Sequence, residues 1–400
     1  MNTHQDCSWK ERTLFIGGDV HKDTHTLVAE NHLGEELLVK TVANDPADFR
    51  KLLDQIRQTA TVRNLTPLIG LEDAVGYGWR LASFFHHEGL PVKIINPVLV
   101  KRERDRSAHP DKSDYQDAKW VVKVMVHGER TDRLPAFSYR ITEEGKVCRA
   151  LKMLVNERDF LVNEQRMAAQ RLHTLLHHTY GSGYQSLFNE LATLKALKFW
   201  SRFPSARRCR ATTSKGLVKP EWIKTASVDD LPLCDPVAER QVVRYADRLL
   251  ALHEELRVVE KEIQSEIGKL NSHLATIPGC GLMTAAKVHA EVGDPDRFTT
   301  RAQFARYAAL APRDHSSGKR TRQKRDPRGN RVLNEAIHHI ALTQISPQGI
   351  PEARDYFQKK IKEGMSKRHA LTCLKRQLIN VVFVILKERR PFEIRSVPTV

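Results

Sequence analysis

The chain has 400 residues, with 65 Lys and Arg against 48 Asp and Glu, a formal net charge of +17. That length predicts two or three domains with cores large enough to need no disulfide staple, and 40% hydrophobic against 28% charged residues excludes wholesale disorder. Residues 1–140 balance 20 basic against 20 acidic residues, so the whole excess lies in residues 141–400 and asks there for a polyanion, nucleic acid or an acidic membrane surface.

Thr13–Val20 is apolar and ends in Gly-Gly-Asp-Val, which predicts a buried strand reaching a sheet edge. Thr24–Asn31 and Glu36–Val42 read as two more strands around a Leu33-Gly34 turn. Asp45-Pro46 reads as an N-cap with Pro at the first helical position, opening a helix with Phe49, Leu52, Leu53 and Ile56 on one face. Pro67–Asp73 is a fourth strand, a helix with Trp79, Leu81 and Phe84 follows, and Val92–Pro97 is a fifth strand. A helix from about Ser113 to His127 closes a β-β-β-α-β-α-β-α order, an α/β sheet with an antiparallel first half.

From about Ile141 long helices take over. Val147, Leu151, Leu154, Leu161, Ala168, Leu172 and Leu175 form a broken heptad. Val242, Tyr245, Leu249, Leu252, Leu256, Val259, Ile263 and Leu270 alternate spacings of three and four, broken by Glu266, which predicts a coiled coil. Phe203–Pro236, between them, reads as an irregular insertion. Gly279 and Gly281 then open a helix after Pro278, like a helix-hairpin-helix element whose backbone N–H groups can meet a nucleic-acid phosphate. A helix over Arg301–Leu310 leads into the most basic stretch, with ten basic and two acidic residues from Arg301 to Arg331. Helices over Arg331–Ile345 and His369–Lys387 close the chain. The domains expected are 1–140, 141–272 with the insertion 203–236, and 273–400.

The longest strongly apolar run, Leu378 to Leu386, reads as too short to cross a bilayer, and the first twelve residues lack an apolar signal core, so no membrane partner is expected. Six scattered cysteines with no CxxC pair give no zinc pattern and fit a reducing cytoplasm.

Four carboxylates stand out. Asp19 ends the first strand and Glu72 the fourth, which a parallel pairing brings together. Asp114 and Asp117 are three apart, on one face at a helix start. Four such groups at one sheet edge repel each other unless a cation such as Mg²⁺ or Mn²⁺ neutralises them. Taken singly, each is also what a solvated loop charge looks like. Ser316-Ser317-Gly318 lies in the basic stretch, where Arg313, Lys319 and Arg320 could stabilise a deprotonated hydroxyl and a phosphate. By composition alone, an ordinary loop is the more economical reading of Ser-Ser-Gly. His21, His25, His109 and the His173/His177/His178 group lack partners at metal spacing and read as surface or packing residues.

Together these parts resemble the DEDD-type transposases of bacterial insertion sequences and the related pilin-gene inverting recombinases, some of which are guided by a bridge RNA. The resemblance spans nearly the whole chain. It rests on FIGGDVHK, LEDAVGYG, INPVLVK and KSDYQDA in the first part, and on IPGCGLMTAAKVHAEVGDPDRF, FARYAALAPRDHSSGKR and PRGNRVLNEAI in the second. Asp73-Ala74-Val75 departs from the family's usual Ala-Thr-Gly, adding a charge beside Glu72, and Phe203–Pro236 matches nothing in the pattern.

The resemblance implies an RNase H-like (RuvC-like) domain, a coiled-coil region and a helical transposase domain. It implies Asp19, Glu72, Asp114 and Asp117 as ligands of Mg²⁺ or Mn²⁺, and Ser317, directly before Gly318, as nucleophile. It also implies a covalent phosphoserine link to DNA, exchange between donor and target duplexes, a guide RNA, a homo-oligomer (dimer or tetramer) in which the metal domain of one subunit works with the serine domain of another, and a bacterial cytoplasmic location. Gly279, Gly281, Arg313, Lys319, Arg320, Arg322, Lys324, Arg325, Arg328 and Asn330 are the expected nucleic-acid contacts. Two other readings stay open: a metal-only nuclease of the Holliday-junction type, and a catalytically dead nucleic-acid-binding relative.

Overall fold

In the computed structural model, residues 8–73, 76–106, 113–127, 136–138, 142–212, 221–227, 231–232, 235–317, 320–325 and 329–393 are described, with 136–138, 313–317 and 320–325 described as backbone. They fall into two compact units, residues 1–145 and 146–400.

The first unit is mixed α/β. Its elements are a short helix α1 (Ser8–Glu11), β1 (Thr13–Val20), β2 (Thr24–Glu30), β3 (Glu36–Ala43), α2 (Pro46–Arg63), β4 (Thr66–Leu71), α3 (Trp79–His87), β5 (Val92–Ile95), α4 (Pro97–Asp105), α5 (Asp114–His127) and β6 (Ala136–Ser138). The sheet order is β3-β2-β1-β4-β5-β6. β1, β2 and β3 pair antiparallel, β4 lies parallel to β1 and to β5, and β6 returns antiparallel. The helices α1 and α4 and the strand β6 are additions to the expected order.

Period-two alternation along β1 gives each sheet face its own core. Leu14 and Ile16 pack with Phe49, Leu52 and Ile56 of α2 and with Leu81 and Phe85 of α3. Phe15 packs on the other side with Trp120, Val121 and Met125 of α5. Glycine makes that second interface close. A Cβ at Gly17 would lie 2.3 Å from the Ala118 carbonyl oxygen, and one at Gly70, its register partner, 2.5 Å from the Met125 sulfur. Helix α5 therefore rests directly on the β1 backbone, which fixes how near its first turn comes to the end of β1.

Among its described residues the second unit is helical apart from one hairpin: α6 (Glu143–Tyr180, begun in the first unit's last residues), α7 (Leu194–Arg202), α8 (Ala206–Ala211), α9 (Glu221–Thr225), α10 (Pro236–Gly268), α11 (Leu282–Val292), α12 (Arg301–Tyr307), β7 (Pro312–Ser317), β8 (Arg320–Arg325), α13 (Arg331–Ile345), α14 (Pro351–Lys362) and α15 (Lys367–Glu388). Ion pairs Arg158–Glu260 and Arg248–Glu164 and the Gln165–His253 contact run in opposite chain order, so α6 and α10 are antiparallel. The α10 seam is buried at Val242, Leu249, Leu252, Leu256, Val259 and Ile263. Val242 and Leu249 share a core with Leu172 and Leu176 of α6 and Trp200 of α7, so this part of the seam is covered within its own chain.

Two expectations are corrected here. The 203–236 segment is not simply irregular: Phe203, Ala206, Cys209, Ile223 and Leu231 are buried in that same core. Helix α15 is long and apolar enough to cross a membrane by length and composition, although half of that stretch is buried within the chain. Its Ala370, Leu378, Ile379 and Val382 are core residues.

Candidate active site

Sheet register builds the site. The β1–β4 pairing ends at Gly18 beside Leu71, so one step further the chain places Asp19 beside Glu72. Helix α5 begins at Asp114 and carries Asp117 in its first turn. The Asp19 and Asp117 side chains are mostly buried, whereas that of Asp114 is exposed. Burial chiefly raises the Asp19 carboxyl above its ordinary range; His21 opposes this, and Asp117 and Asp114 add to it. Burial also raises Glu72, reinforced by Asp19 and Asp117 and opposed by Arg104. These mutual effects place the four expected carboxylates in one electrostatic neighbourhood. Carboxylates that crowd together in a half-buried place, offering hard oxygen donors, fit a divalent cation.

Two basic side chains also enter the site, and the sequence reading missed both. His21 Nε2 lies 3.0 Å from Asp19 Oδ2 and 3.3 Å from Asp114 Oδ1. Burial alone would lower its imidazole, but these two carboxylates outweigh burial and raise it. Asp19, His21 and Asp114 form a group able to hold a metal ion. The expectation that His21 lacks carboxylate partners is therefore corrected. Its signal was present, since positions 19 and 21 share a face of an extended strand. Arg104 donates to Asp117 Oδ1 at 3.1 Å from α4, a helix absent from the expected order.

Asp73 adds to the charge acting on Glu72. It also shapes the following turn, its carboxylate accepting the N–H groups of Gly76 at 2.6 Å and Tyr77 at 3.1 Å. His25 is buried and stacks on Phe49, and His173 contacts Tyr184, both as packing residues.

In the second unit Ser317 ends β7. The register sets Ser317 opposite Arg320, His315 opposite Arg322 and Arg313 opposite Lys324. Directly opposed residues share a face, so these six positions lie on one face of the hairpin and Ser316 falls on the other with Asp314, Thr321 and Gln323. The serine segment is thus an extended ribbon, not the loop that composition favoured. Arg325 lies in β8, while Lys319 and Arg328 lie outside the described residues.

Gly279 has φ +83°, and a Cβ there would meet Thr343 at 2.9 Å, so it serves the packing of α13. Gly281 caps α11, with open space where its Cβ would be. Asn330 is the N-cap of α13, accepting from Leu333 N at 2.8 Å, and its amide donates to Glu291 and Tyr307. That side chain is committed to the fold.

Comparison with known proteins decides the family. A DEDD transposase model of IS110, described as Transposase, matches residues 16–181, and the model described as Transposase IS116/IS110/IS902 family matches residues 271–358. The chain belongs to the IS110-type transposase family. The transposase is 27% identical to the insertion element IS110 uncharacterized 43.6 kDa protein of Streptomyces coelicolor, over 96% of both chains. It is 23% identical to the transposase for insertion sequence element IS1328 of Yersinia enterocolitica, over 82% of each. It is 28% identical to the pilin gene-inverting protein of Moraxella bovis over 132 residues, 32% of this chain and 41% of that one. Membership makes it a DNA transposase by enzyme class, acting on DNA, and the DEDD type implies a divalent metal.

Proposed function

We propose that the transposase cuts and exchanges DNA strands through a covalent phosphoserine link made by Ser317, with Asp19, Glu72, Asp114 and Asp117 holding Mg²⁺ or Mn²⁺ in an RNase H-like (RuvC-like) domain. The observation that carries this reading is the convergence of the four carboxylates on one sheet edge, with Asp19 and Glu72 both raised. When bound, the cation would supply Lewis-acid stabilisation of phosphate charge.

The serine hydroxyl oxygen forms a bond to phosphorus as the bond from phosphorus to a deoxyribose oxygen breaks. The serine proton is given up and the departing sugar oxygen takes one. The serine link keeps the diester's energy, so attack by a hydroxyl of a second duplex rejoins the strands without ATP. The hairpin register favours Ser317 over Ser316, because the Ser317 face carries Arg313, Arg320, Arg322 and Lys324, the cations that would steady an oxyanion and a phosphate. Domain bounds of 1–140, 141–272 and 273–400 divide metal, spacer and nucleophile. A guide RNA that pairs with donor and target DNA, and an oligomer whose subunits exchange metal and serine domains, complete the proposal. The excess charge after residue 140 supports a nucleic-acid partner.

The test mixes the protein with element-end DNA, Mg²⁺ and co-purified RNA, and looks for a protein–DNA adduct on a denaturing gel. The adduct is expected in wild type and absent in Ser317→Ala. Cleavage that survives Ser317→Ala but not Asp114→Ala would replace this reading with a metal-only nuclease.

A further inference from the structure

At the root of the serine hairpin, α13 and α15 line a cavity of about 630 Å³ floored by Ala309 and Leu310. Each helix contributes a stripe at helical spacing: Arg331, Asn334, Glu335 and His338 from α13, and Arg368, Leu371, Thr372 and Lys375 from α15. Arg331 is the first residue of α13 and Arg368 the second of α15, so two helix N-termini, with their partial positive charge, open on the groove. Arg331 and Arg368 are exposed at its rim. Lys375 is only 7% exposed at its base, its ammonium donating to Asn334 Oδ1, while Asn334 in turn donates to the Ala308 and Ala309 carbonyls. A cation is thus built into the groove floor and tied to the backbone just before β7.

Among the described lining residues, three permanent cations accompany one carboxylate, Glu335, which lies 3.5 Å from His339. Past Arg368 and Thr372 the groove runs into a second cavity of about 700 Å³, whose walls add Tyr356, His369 and Arg376. Cations beside aromatic rings suit a nucleic-acid strand, which offers phosphate to the first and flat bases or sugars to the second.

The geometry points to this groove as a binding site for a nucleic-acid phosphodiester, with Arg331, Arg368 and Lys375 as its anion-binding side chains. The site rests on the nucleic-acid reading of the transposase but is separate from the hairpin cations and from the Gly279/Gly281 turn. A fully extended β7 would carry the chain about 17 Å from Pro312 to Ser317, at roughly 3.3 Å per residue. The groove therefore grips the strand some nucleotides from the one Ser317 attacks and sets its path.

The test is fluorescence anisotropy without divalent metal, titrating a labelled DNA duplex and, separately, a labelled RNA hairpin over a series of salt concentrations. Arg331→Gln/Arg368→Gln, at exposed positions, is expected to weaken binding roughly tenfold and to reduce the salt slope by about two, one for each lost phosphate contact. Arg166→Gln/Arg171→Gln, exposed on α6, removes the same charge elsewhere and is expected to change little. Lys375→Met, which also takes away the donor to Asn334 Oδ1 and should lower the melting temperature, is expected to weaken binding at temperatures where it stays folded; should it unfold, the arginine pair still decides. Loss with DNA or with RNA supports the site and names its ligand. A groove variant with wild-type slope, or one no different from the α6 variant, overturns it. Absence of salt-dependent binding by the wild type to either probe would instead sink the nucleic-acid reading itself.

Discussion

The carboxylate centre and the serine hairpin are built on opposite physical plans. Asp19 and Glu72 sit at the ends of neighbouring strands inside a six-stranded sheet, and α5 is seated on β1 by Gly17. Their positions follow from a core that packs on both faces. The serine lies on a separate two-stranded ribbon whose register sets Arg313 opposite Lys324 and His315 opposite Arg322. Two strands alone are marginally stable, and like charges directly opposed weaken them further. One half is thus preorganised by burial, whereas the other gains most when an anion neutralises it. The difference teaches that acidic crowding and basic crowding are each relieved by an opposite charge, which on the proposed function is a cation in one place and phosphate in the other.

The largest expected effect lies in the preorganised half. Glu72→Gln or Asp117→Asn should cut strand cleavage by roughly a thousandfold or more, since on the proposed reading each removes an oxygen that binds the metal without disturbing the core. Cleavage within tenfold of wild type would show that the centre is only structural. Neutralising Arg320, Arg322, Lys324 and Arg325 of the ribbon together with Lys319 should weaken DNA binding and flatten its salt dependence by several units of slope, at about 0.9 per phosphate contact. An unchanged slope would mean that the ribbon does not meet phosphate.

Stability should separate the halves next. Gly17→Val forces two methyls against the Ala118 carbonyl and should cost on the order of 3 kcal/mol, read as a lower melting temperature together with weaker Mn²⁺ binding. Asn330→Ala should cost about 1 kcal/mol through its lost cap and leave Mn²⁺ binding unchanged.

The smallest effect is a pH dependence. Asp19 and Glu72 are both raised, so their contribution to stability is fully present below the ordinary carboxylate range and is lost as pH rises through their raised values. At neutral pH a divalent cation should therefore raise the melting temperature. The gain should fade as the pH is brought down into that range, and should be absent in Asp19→Asn/Asp117→Asn. Equal gains at both pH values would place the cation elsewhere.

Much of the first unit was legible because burial leaves a pattern. Thr13–Val20 was apolar up to its Gly-Gly-Asp end, and Asp45-Pro46 carried its own cap, with Asp45 accepting from Ala47 N. The same signal stood at Asn96-Pro97, where Asn96 accepts from Val98 N, but there the strand reading ran on through Pro97 and hid α4. With α4 hidden, Arg104 was invisible. His21, one residue past β1, needed only that strand's two-residue period carried one step further. The hairpin could not be read at all: Pro312–Ser317 and Arg320–Arg325 have no apolar alternation, since apart from Pro312 every residue in both strands is polar or charged. In α6 the apolar stripe was found at Leu151, Leu161, Ala168 and Leu172, but it is locally rotated by one residue where Cys148, Val155 and Leu176 are buried and the expected Val147, Leu154 and Leu175 only half-buried. That rotation depends on the neighbouring helices, which no single stripe specifies.

The ends of the hairpin meet. Asn330 N donates to the Tyr307 carbonyl at 2.7 Å, and a Cβ on Gly329 would lie 2.8 Å from Ala309 N. A segment whose entrance and exit touch is a natural cassette. It can be excised and its stumps joined by a short turn while α12 and α13 keep their contacts, or replaced by the corresponding segment of a relative. The nucleophile proposed for this transposase would thereby be modular, its chemistry open to trade without redesigning the scaffold that carries it.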